Sequence, residues 1–394
     1  SVLKQIITNG QSTDWADMVT RDGSQQNHYL AVSGGSQDIH YHMGFGYNQE
    51  KGIYEGDQKD QITVKASLDA KINKYISAGF STNMAYIKNE YANDKGVELA
   101  YRLNPFCQPY SKAPDARNGY IYDANGNIPD EGYNGYYYNA NGQIMKNYRP
   151  GDKYAMGTTS TGNQFSDQFN PMYLMDAYAR ERQTWRLLGS FYLQVEPIKD
   201  LTIKTVYQPS YTYYRDGTFQ DIVLDDKGAL LDKSFGTTDA DGNPMNYALR
   251  KTQRSFSWTW DNIVNYNKTF ADIHSINLMG LFSMLRNESE NDQIRSLGVL
   301  AGSLWHNMNS GTVDPTETKT GYGDSSMISY AFRANYTLMD RYMLTATMRW
   351  DGSSKLALGH RWSSFPSVAV AWRASEEKFL KNVDWLSNLK LRVS

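Results

Sequence analysis

Apolar and polar residues alternate along two adjacent runs near the end of the sequence, with Met339 and Asp340 between the runs. Extended chain places every second side chain on the same face, and about ten tilted residues are enough to cross a bilayer. The pattern therefore predicts paired strands that span a membrane, with one apolar face and one polar face. The apolar positions are Ile328, Tyr330, Phe332, Ala334, Tyr336 and Leu338, then Tyr342, Leu344, Ala346, Met348 and Trp350.

The alternation recurs along the chain and predicts about twelve strands in antiparallel pairs. In the first pair, Gly34 and Gly35 are expected to supply the positive φ of a tight hairpin. Other short turns are expected near Asn73 and before residue 201. Every second connection is instead long, above all residues 89–183, and loops of that length are usually functional.

Short connections at one end of the strands and long ones at the other are the layout of an outer-membrane barrel. An immunoglobulin-like sandwich also alternates strands and turns, but it does not sort loop length by end and does not need such long strands. We therefore expect an all-β fold, an antiparallel transmembrane β-barrel. Near the end of the chain, Ser375, Glu376 and Glu377 precede apolar residues in a pattern that resembles a capping box.

Composition agrees with a barrel and excludes several other classes. The 394 residues have a net charge of -2 and a pI of about 6.3, so no basic surface for nucleic acid is indicated. The mean hydropathy is -0.63 although the chain holds 30 Tyr and 9 Trp. Polar loops and a polar lumen combined with aromatic girdles give such totals. No apolar run is long enough for a transmembrane helix.

Few residues suggest catalytic or metal chemistry. Cys107 is the sole cysteine, so neither an intrachain disulfide nor a cysteine-based zinc site can form, and we expect an unpaired loop thiol. His40 and His42 share a strand face, but no third ligand is evident nearby. We find no Ser-His-Asp set, paired-carboxylate motif or phosphate loop. The sequence therefore predicts no enzyme, no cofactor and no metal site.

Two loop segments can be interpreted either as β-turns or as calcium-binding loops. Asp123, Asn125 and Asn127 have calcium-loop spacing but lack the remaining ligands of an EF-hand, so β-turns are the favoured interpretation. Residues 239–243 show the same ambiguity.

Tyrosines on long loops have a flat face and a hydroxyl, which suits contact with sugars or peptides. Packing within the loops, or a place in the aromatic girdles, is the alternative for them. The candidate substrate contacts are Tyr133, Tyr136, Tyr137, Tyr138, Tyr213, Tyr214 and Trp305.

Several motifs resemble the barrel signatures of the SusC/RagA family, the TonB-dependent outer-membrane transporters of Bacteroidota. They occur toward both ends of the chain, whereas about residues 90–325 match in pattern only. The Asp-Gly-Ser-Ser-Lys block followed by Phe-Pro-Ser is the most specific. The segments are Asp14–Arg21, His28–Gly35, Tyr47–Ile53, Arg341–Lys355, Arg361–Trp362, Phe365–Ser367, Trp372–Arg373, Ser375–Glu377, Asp384–Leu386 and Asn388–Arg392.

The resemblance implies a 22-stranded barrel with an N-terminal plug, of which residues 1–394 would form about twelve strands. The plug, the TonB-contacting segment and the C-terminal strands would then lie outside this sequence. That agrees with a first residue that is not Met and a last residue within a predicted strand. The resemblance also implies import of glycans or oligopeptides across the outer membrane. The implied partners are TonB and a SusD-like lipoprotein, with two transporter–lipoprotein pairs able to associate.

Two other functions stay open for a barrel of this kind. A passive porin is one, although porins usually lack a plug. An outer-membrane enzyme or adhesin built on a barrel is the other, although an enzyme should carry a catalytic cluster at its external rim.

Overall fold

One large antiparallel sheet dominates the computed structural model, which describes residues 12–110, 136–138, 144–146, 153–158, 164–225, 230, 236–300, 302–380 and 385–394. Twelve strands of this sheet pair with their neighbours in chain order, which confirms the predicted meander. They are β1 Ser24–Gly35, β2 Ile39–Lys51, β3 Gln58–Lys71, β4 Ile76–Glu90, β5 Tyr178–Ile198, β6 Leu201–Gln220, β7 Tyr247–Phe270, β8 His274–Leu297, β9 Lys319–Leu338, β10 Tyr342–Ser353, β11 Trp362–Arg373 and β12 Lys390–Val393.

Smaller elements lie in the connections. The helices are α1 Trp15–Val19, α2 Asp94–Ala100 and α3 Pro171–Asp176, with short 3-10 turns at Met308–Ser310 and Ala374–Glu376. No helix in the described part of the chain is long and apolar enough to cross a membrane. The short strands are Gln108–Tyr110, Tyr136–Tyr138, Ile144–Lys146, Lys153–Thr158, Gln164–Phe169, Thr237–Thr238, Pro244–Met245 and Thr312–Val313.

The register of the sheet gathers apolar side chains into rows on one face. One row joins eight strands without a polar residue, and Phe191 within it is 48% exposed. A surface that faces lipid carries large apolar side chains that are exposed rather than buried within the protein. The row consists of Tyr41, Leu68, Phe80, Phe191, Tyr207, Trp260, Met284 and Ile328. We call this the outer face, and the opposite face the inner wall.

The inner wall is mostly polar at the same level of the sheet. His42 pairs with Ser67, which pairs with Ser81, which pairs with Ser190. Nearer the short-turn end, Asn335 donates a hydrogen bond to Asn277 at 3.0 Å and accepts one from Thr345 at 2.9 Å. Such hydrogen bonds satisfy polar groups across neighbouring strands and fix their register. The predicted segregation of polar and apolar faces is therefore confirmed.

Three predicted short turns agree with the structure, at residues 72–75, 199–200 and 339–341, and one does not. Leu338 pairs with Tyr342 across residues 339–341, and within this turn Met339 and Asp340 have φ of 55° and 59°. Gly34 and Gly35 were expected to make the first turn, but they are the last residues of β1 and neither has positive φ. The turn follows at residues 36–38. Gly34 instead leaves room for Tyr41, whose hydroxyl would lie 2.5 Å from an added Cβ.

Loop lengths follow the predicted alternation with three exceptions. Residues 91–177, 221–246 and 298–318 connect strands at one end, whereas residues 199–200 and 271–273 are among the short turns at the other. At the long-loop end, however, residues 52–57 and 354–361 form short connections. At the short-turn end, residues 374–389 form a longer one.

The predicted capping box does not form in that longer connection. The 3-10 turn at Ala374–Glu376 has no side-chain cap. Glu377 instead accepts hydrogen bonds from Tyr342 at 2.6 Å and from the indole of Trp372 at 3.2 Å. Partners on β10 and β11 therefore replace the local backbone partner that the sequence pattern suggested.

Buried apolar clusters lie at the long-loop end, because the strands direct their apolar side chains outward. Within the described residues there are three such clusters. Asn93 and Asn170 cap α2 and α3 through their side chains, and these helices pack under the loops. The first cluster contains Leu99, Ala155, Met156, Phe169, Leu174, Ala177 and Val223, the second contains Trp15, Val19, Ala100, Leu103 and Cys107, and the third contains Phe219, Ala248, Val299, Trp305 and Met308.

Candidate functional site

Two arginines hold one carboxylate on the inner wall at the long-loop end. Arg180 and Arg182 belong to β5, and Asp216 lies opposite Arg182 on β6. Arg182 donates to Asp216 Oδ2 from Nε at 2.8 Å and from Nη2 at 2.6 Å. Arg180 donates to Oδ1 from Nε at 3.2 Å and to Oδ2 from Nη2 at 3.0 Å. Charge-assisted bonds of this kind fix both guanidinium planes.

The burial of the three groups is unequal. The side chain of Asp216 is 4% exposed, whereas those of Arg180 and Arg182 are 34% and 36% exposed. The carboxylate therefore lies behind the guanidiniums, and the solvent-facing surface of the cluster is cationic.

Tyrosine rings flank the two guanidiniums. The guanidinium carbon of Arg180 lies 4.6 Å from the ring centre of Tyr91, and that of Arg182 lies 5.1 Å from the ring centre of Tyr214. These distances are within the range of cation–π attraction. Each ring therefore further restricts the arginine beside it.

Tyr91 also lines an open cavity of about 580 Å³ at the ends of β1 to β4. Most of its walls are amide, charged and backbone groups, and Lys59 and Glu50 form an ion pair of 3.1 Å there. Volumes of this size are common for small-ligand sites. Residues that line it include Gln25, Glu50, Gln58, Lys59, Asn89 and Tyr91.

The predicted tyrosine contacts lie in different places. Tyr133 is outside the described residues. Tyr136–Tyr138 form a short strand that pairs with Ile144–Lys146. Tyr213 shares a row with Trp185 on the outer face, which favours the girdle interpretation over contact with a lumenal ligand. Tyr214 lies on the inner wall beside Arg182.

Trp305, another predicted contact, is buried at 5% exposure in the cluster with Phe219 and Met308. Its indole covers Gly217 so closely that an added Cβ would lie 2.3 Å from the ring. Gly217 lies four residues after Tyr213 on β6 and therefore on the same outer face. The loop that contains Trp305 thus packs against the outer side of the sheet, above the aromatic girdle. This burial favours a packing role for Trp305.

The segments considered for metal binding have structural explanations where they are described. Asp239 Oδ1 accepts backbone hydrogen bonds from Asp241 at 2.9 Å and Asn243 at 2.8 Å. Hydrogen bonds from Asn243 lower the pKa of the Asp239 carboxyl below its ordinary value. Asp239 therefore stabilises a turn. Among the described residues, no group of three His, Cys, Asp or Glu side chains is arranged to hold a metal ion. The other candidate, residues 123–127, lies outside them.

The remaining histidine and cysteine candidates have local roles. His42 Nε2 lies 3.2 Å from the hydroxyl of Tyr29 on the neighbouring strand. Cys107 is fully buried against α1 and α2, and burial raises the pKa of its thiol to about 11. A neutral, inaccessible thiol is a poor nucleophile, so Cys107 serves as a small apolar side chain.

Sequence reasoning missed Arg180, Arg182 and Asp216 because it assigned residues through 183 to a loop. A signal was present in the alternation of Arg180, Glu181 and Arg182, which places both arginines on one strand face. Their meeting with Asp216 depends on the register between two strands, which that alternation alone does not specify.

Comparison with known proteins gives relatives along nearly the whole chain. No protein-family model matches. "TonB-dependent receptor SusC" of Bacteroides thetaiotaomicron is 26% identical over 97% of this chain and 34% of its own length. "TonB-dependent receptor P26" of Formosa agariphila is 24% identical over 97% of this chain and 33% of its own length. The chain therefore spans about a third of the length of these relatives.

Solved structures support the same fold. The structure of the RagAB peptide transporter superimposes with a TM-score of 0.64 over 97% of this chain and 37% of that chain, at 17% identity. Its closed-closed state gives a TM-score of 0.65 at the same identity and coverage. The names of these relatives describe receptors and a transporter. Over nearly its whole length the chain is therefore similar in sequence to SusC and other TonB-dependent receptors, and it has the fold of the RagAB peptide transporter.

Proposed function

We propose that this chain forms part of the barrel of an energised outer-membrane importer for glycans or oligopeptides. The observation that carries the proposal is the meander itself, with an apolar outer face and a polar inner wall, aligned with SusC over 97% of the chain. A polar wall suits the passage of hydrophilic cargo, because a lumenal lining can replace part of the cargo's hydration. The inner wall and the external loops would recognise the cargo, without a catalytic step.

The proposal includes components beyond these residues. A plug and further strands would complete the barrel around residues 1–394, and the plug would contact TonB. A SusD-like lipoprotein would cover the long-loop end, where residues 91–177 would form an external loop. Two such pairs would be able to associate. Within the loops and the wall, Tyr133, Tyr136, Tyr137, Tyr138 and Tyr214 stay candidate cargo contacts. Tyr213 is not among them because it lies on the outer face, and Trp305 is not because it is buried.

Energy dependence tests the proposal against a passive porin. The complete gene would be deleted in its host and restored on a plasmid, and uptake of fluorescent oligosaccharide and oligopeptide libraries would be measured. We expect restored cells to accumulate at least one cargo and to lose that accumulation when the proton-motive force is collapsed or TonB is deleted. Flux that persists under both treatments would identify a porin instead and would contradict energised import.

A further inference from the structure

We propose that the cluster of Arg180, Arg182, Lys251 and Asp216 on the inner wall binds a carboxylate group of the cargo. This inference rests on the proposed import function, because it assigns the cluster to the passing substrate. The site lies at the long-loop end, where cargo would enter. The chemical class is therefore an acidic cargo, either an oligosaccharide that contains uronic acids or an acidic peptide.

The register of the sheet assembles the site from separate strands. Asn89 on β4 pairs with Arg182 on β5, Arg182 pairs with Asp216 on β6, and Asp216 pairs with Lys251 on β7. Directly opposed residues have side chains on the same face and Cβ atoms about 5 Å apart. Lys251 is exposed and therefore adds a cationic side chain on the same face of the sheet, on the strand next to Asp216.

Two guanidiniums bind one carboxylate, and Lys251 lies on the same face one strand away, so the cluster has an excess of positive charge. Asp216 does not cancel this excess toward the lumen, because it is buried behind the guanidiniums. Its hydrogen bonds use Nε and Nη2 of both arginines, so neither Nη1 group takes part in holding it. Asp216 thus positions both guanidiniums through their Nε–Nη2 edges, while the arginine side chains stay 34% and 36% exposed.

The geometry favours a planar anion. A guanidinium edge can donate two parallel hydrogen bonds to a carboxylate, which a single ammonium cannot do. Tyr91 and Tyr214 hold the planes from the side, so little arginine entropy would be lost on binding. Gln25 and Asn89 line the adjacent cavity, and their amides can bind the neutral hydroxyl or peptide groups of the same cargo.

Calorimetry on the purified full-length protein tests the site. The probes are trigalacturonate and its fully methyl-esterified form, and the tripeptide Glu-Glu-Glu and its counterpart Gln-Gln-Gln. We expect at least one acid to bind ten-fold or more tightly than its neutral form, with affinity falling as salt rises. A preference within the galacturonate pair would identify an acidic oligosaccharide as the cargo, and a preference within the tripeptide pair would identify an acidic peptide. Equal affinity of acid and neutral forms in both arms would overturn the inference.

Variants assign the preference to this cluster. Arg182→Gln is expected to weaken binding of the acid about ten- to hundred-fold, because hydrogen bonds between charged groups are lost. Lys251→Gln is expected to weaken it several-fold, and its exposed position makes misfolding a minor concern. Arg254→Gln is the matched control, since Arg254 pairs with Glu290 at 3.1 Å in the outward register of the same sheet. Equal losses in Arg254→Gln and Lys251→Gln would refute the assignment.

Failure of this inference is distinguishable from failure of the import function. Energised uptake without any preference for acids would refute the carboxylate site and leave import standing. Selective binding of an acid without energised uptake would support the site and contradict import.

Discussion

Trp305 and Gly217 show how single residues decide where an external loop lies. The indole occupies space that any side chain at position 217 would take, so glycine is needed there for packing. Phe219, Val299 and Met308 complete the contact. A tryptophan that looks like a binding residue in the sequence therefore attaches the loop at residues 298–318 to the sheet.

Trp305→Ala should release this loop while the barrel stays folded. Truncation of a buried tryptophan costs about 3–5 kcal/mol, and here the cost falls on local loop packing. We expect faster amide hydrogen exchange across residues 298–318 of the full-length protein, with little change in β9 and β10. Trp385→Ala is the control because Trp385 is 85% exposed. Unchanged exchange in Trp305→Ala would contradict the attachment.

At the scale of elements, short turns define the hairpins as much as the strands do. The turn between β9 and β10 places two non-glycine residues in the left-handed region, Met339 and Asp340. Asp tolerates this conformation better than Met, because its short polar side chain can form local hydrogen bonds. Met339 is therefore a strained position in an otherwise regular hairpin.

Two substitutions at Met339 should have opposite effects. Met339→Gly removes the steric cost of positive φ, and we expect the free energy of unfolding to rise by about 1 kcal/mol. Met339→Val adds a β-branched side chain, and we expect a decrease of about 1–2 kcal/mol. Urea titration of the full-length protein in vesicles would measure both. A change of the same sign in the two variants would be incompatible with a strained turn.

For the whole molecule, the decisive property is that one face of the sheet meets lipid. Phe332 is 49% exposed on the outer face, between Tyr330 and the lower aromatic residue Tyr336. Arg333 follows it on the inner wall. The sequence thus places a phenylalanine and an arginine side by side, and the sheet separates them into two environments.

Phe332→Lys should destabilise the inserted barrel. A lysine on the lipid face near the bilayer centre costs about 2–4 kcal/mol. Ser283→Lys is the control, since Ser283 lies on the inner wall opposite Asp261. We expect vesicle refolding of the full-length protein to show a lower urea midpoint for Phe332→Lys alone. Equal shifts in the two variants would show that the faces are assigned incorrectly.

The sequence by itself determined the strands and their two faces, because alternation is a local property with a period of two residues. It also determined the turn at Met339 and Asp340, where local conformation suffices. Because residues 91–177 separate β4 from β5 along the chain, the sequence did not predict which residues of β4 and β6 contact β5. Only the tertiary structure decided that Arg182 meets Asp216, 34 residues away, or that Glu377 binds β10 and β11 instead of capping a helix. These contacts depend on strand register and loop packing, which bring together residues whose separation along the chain carries no signal.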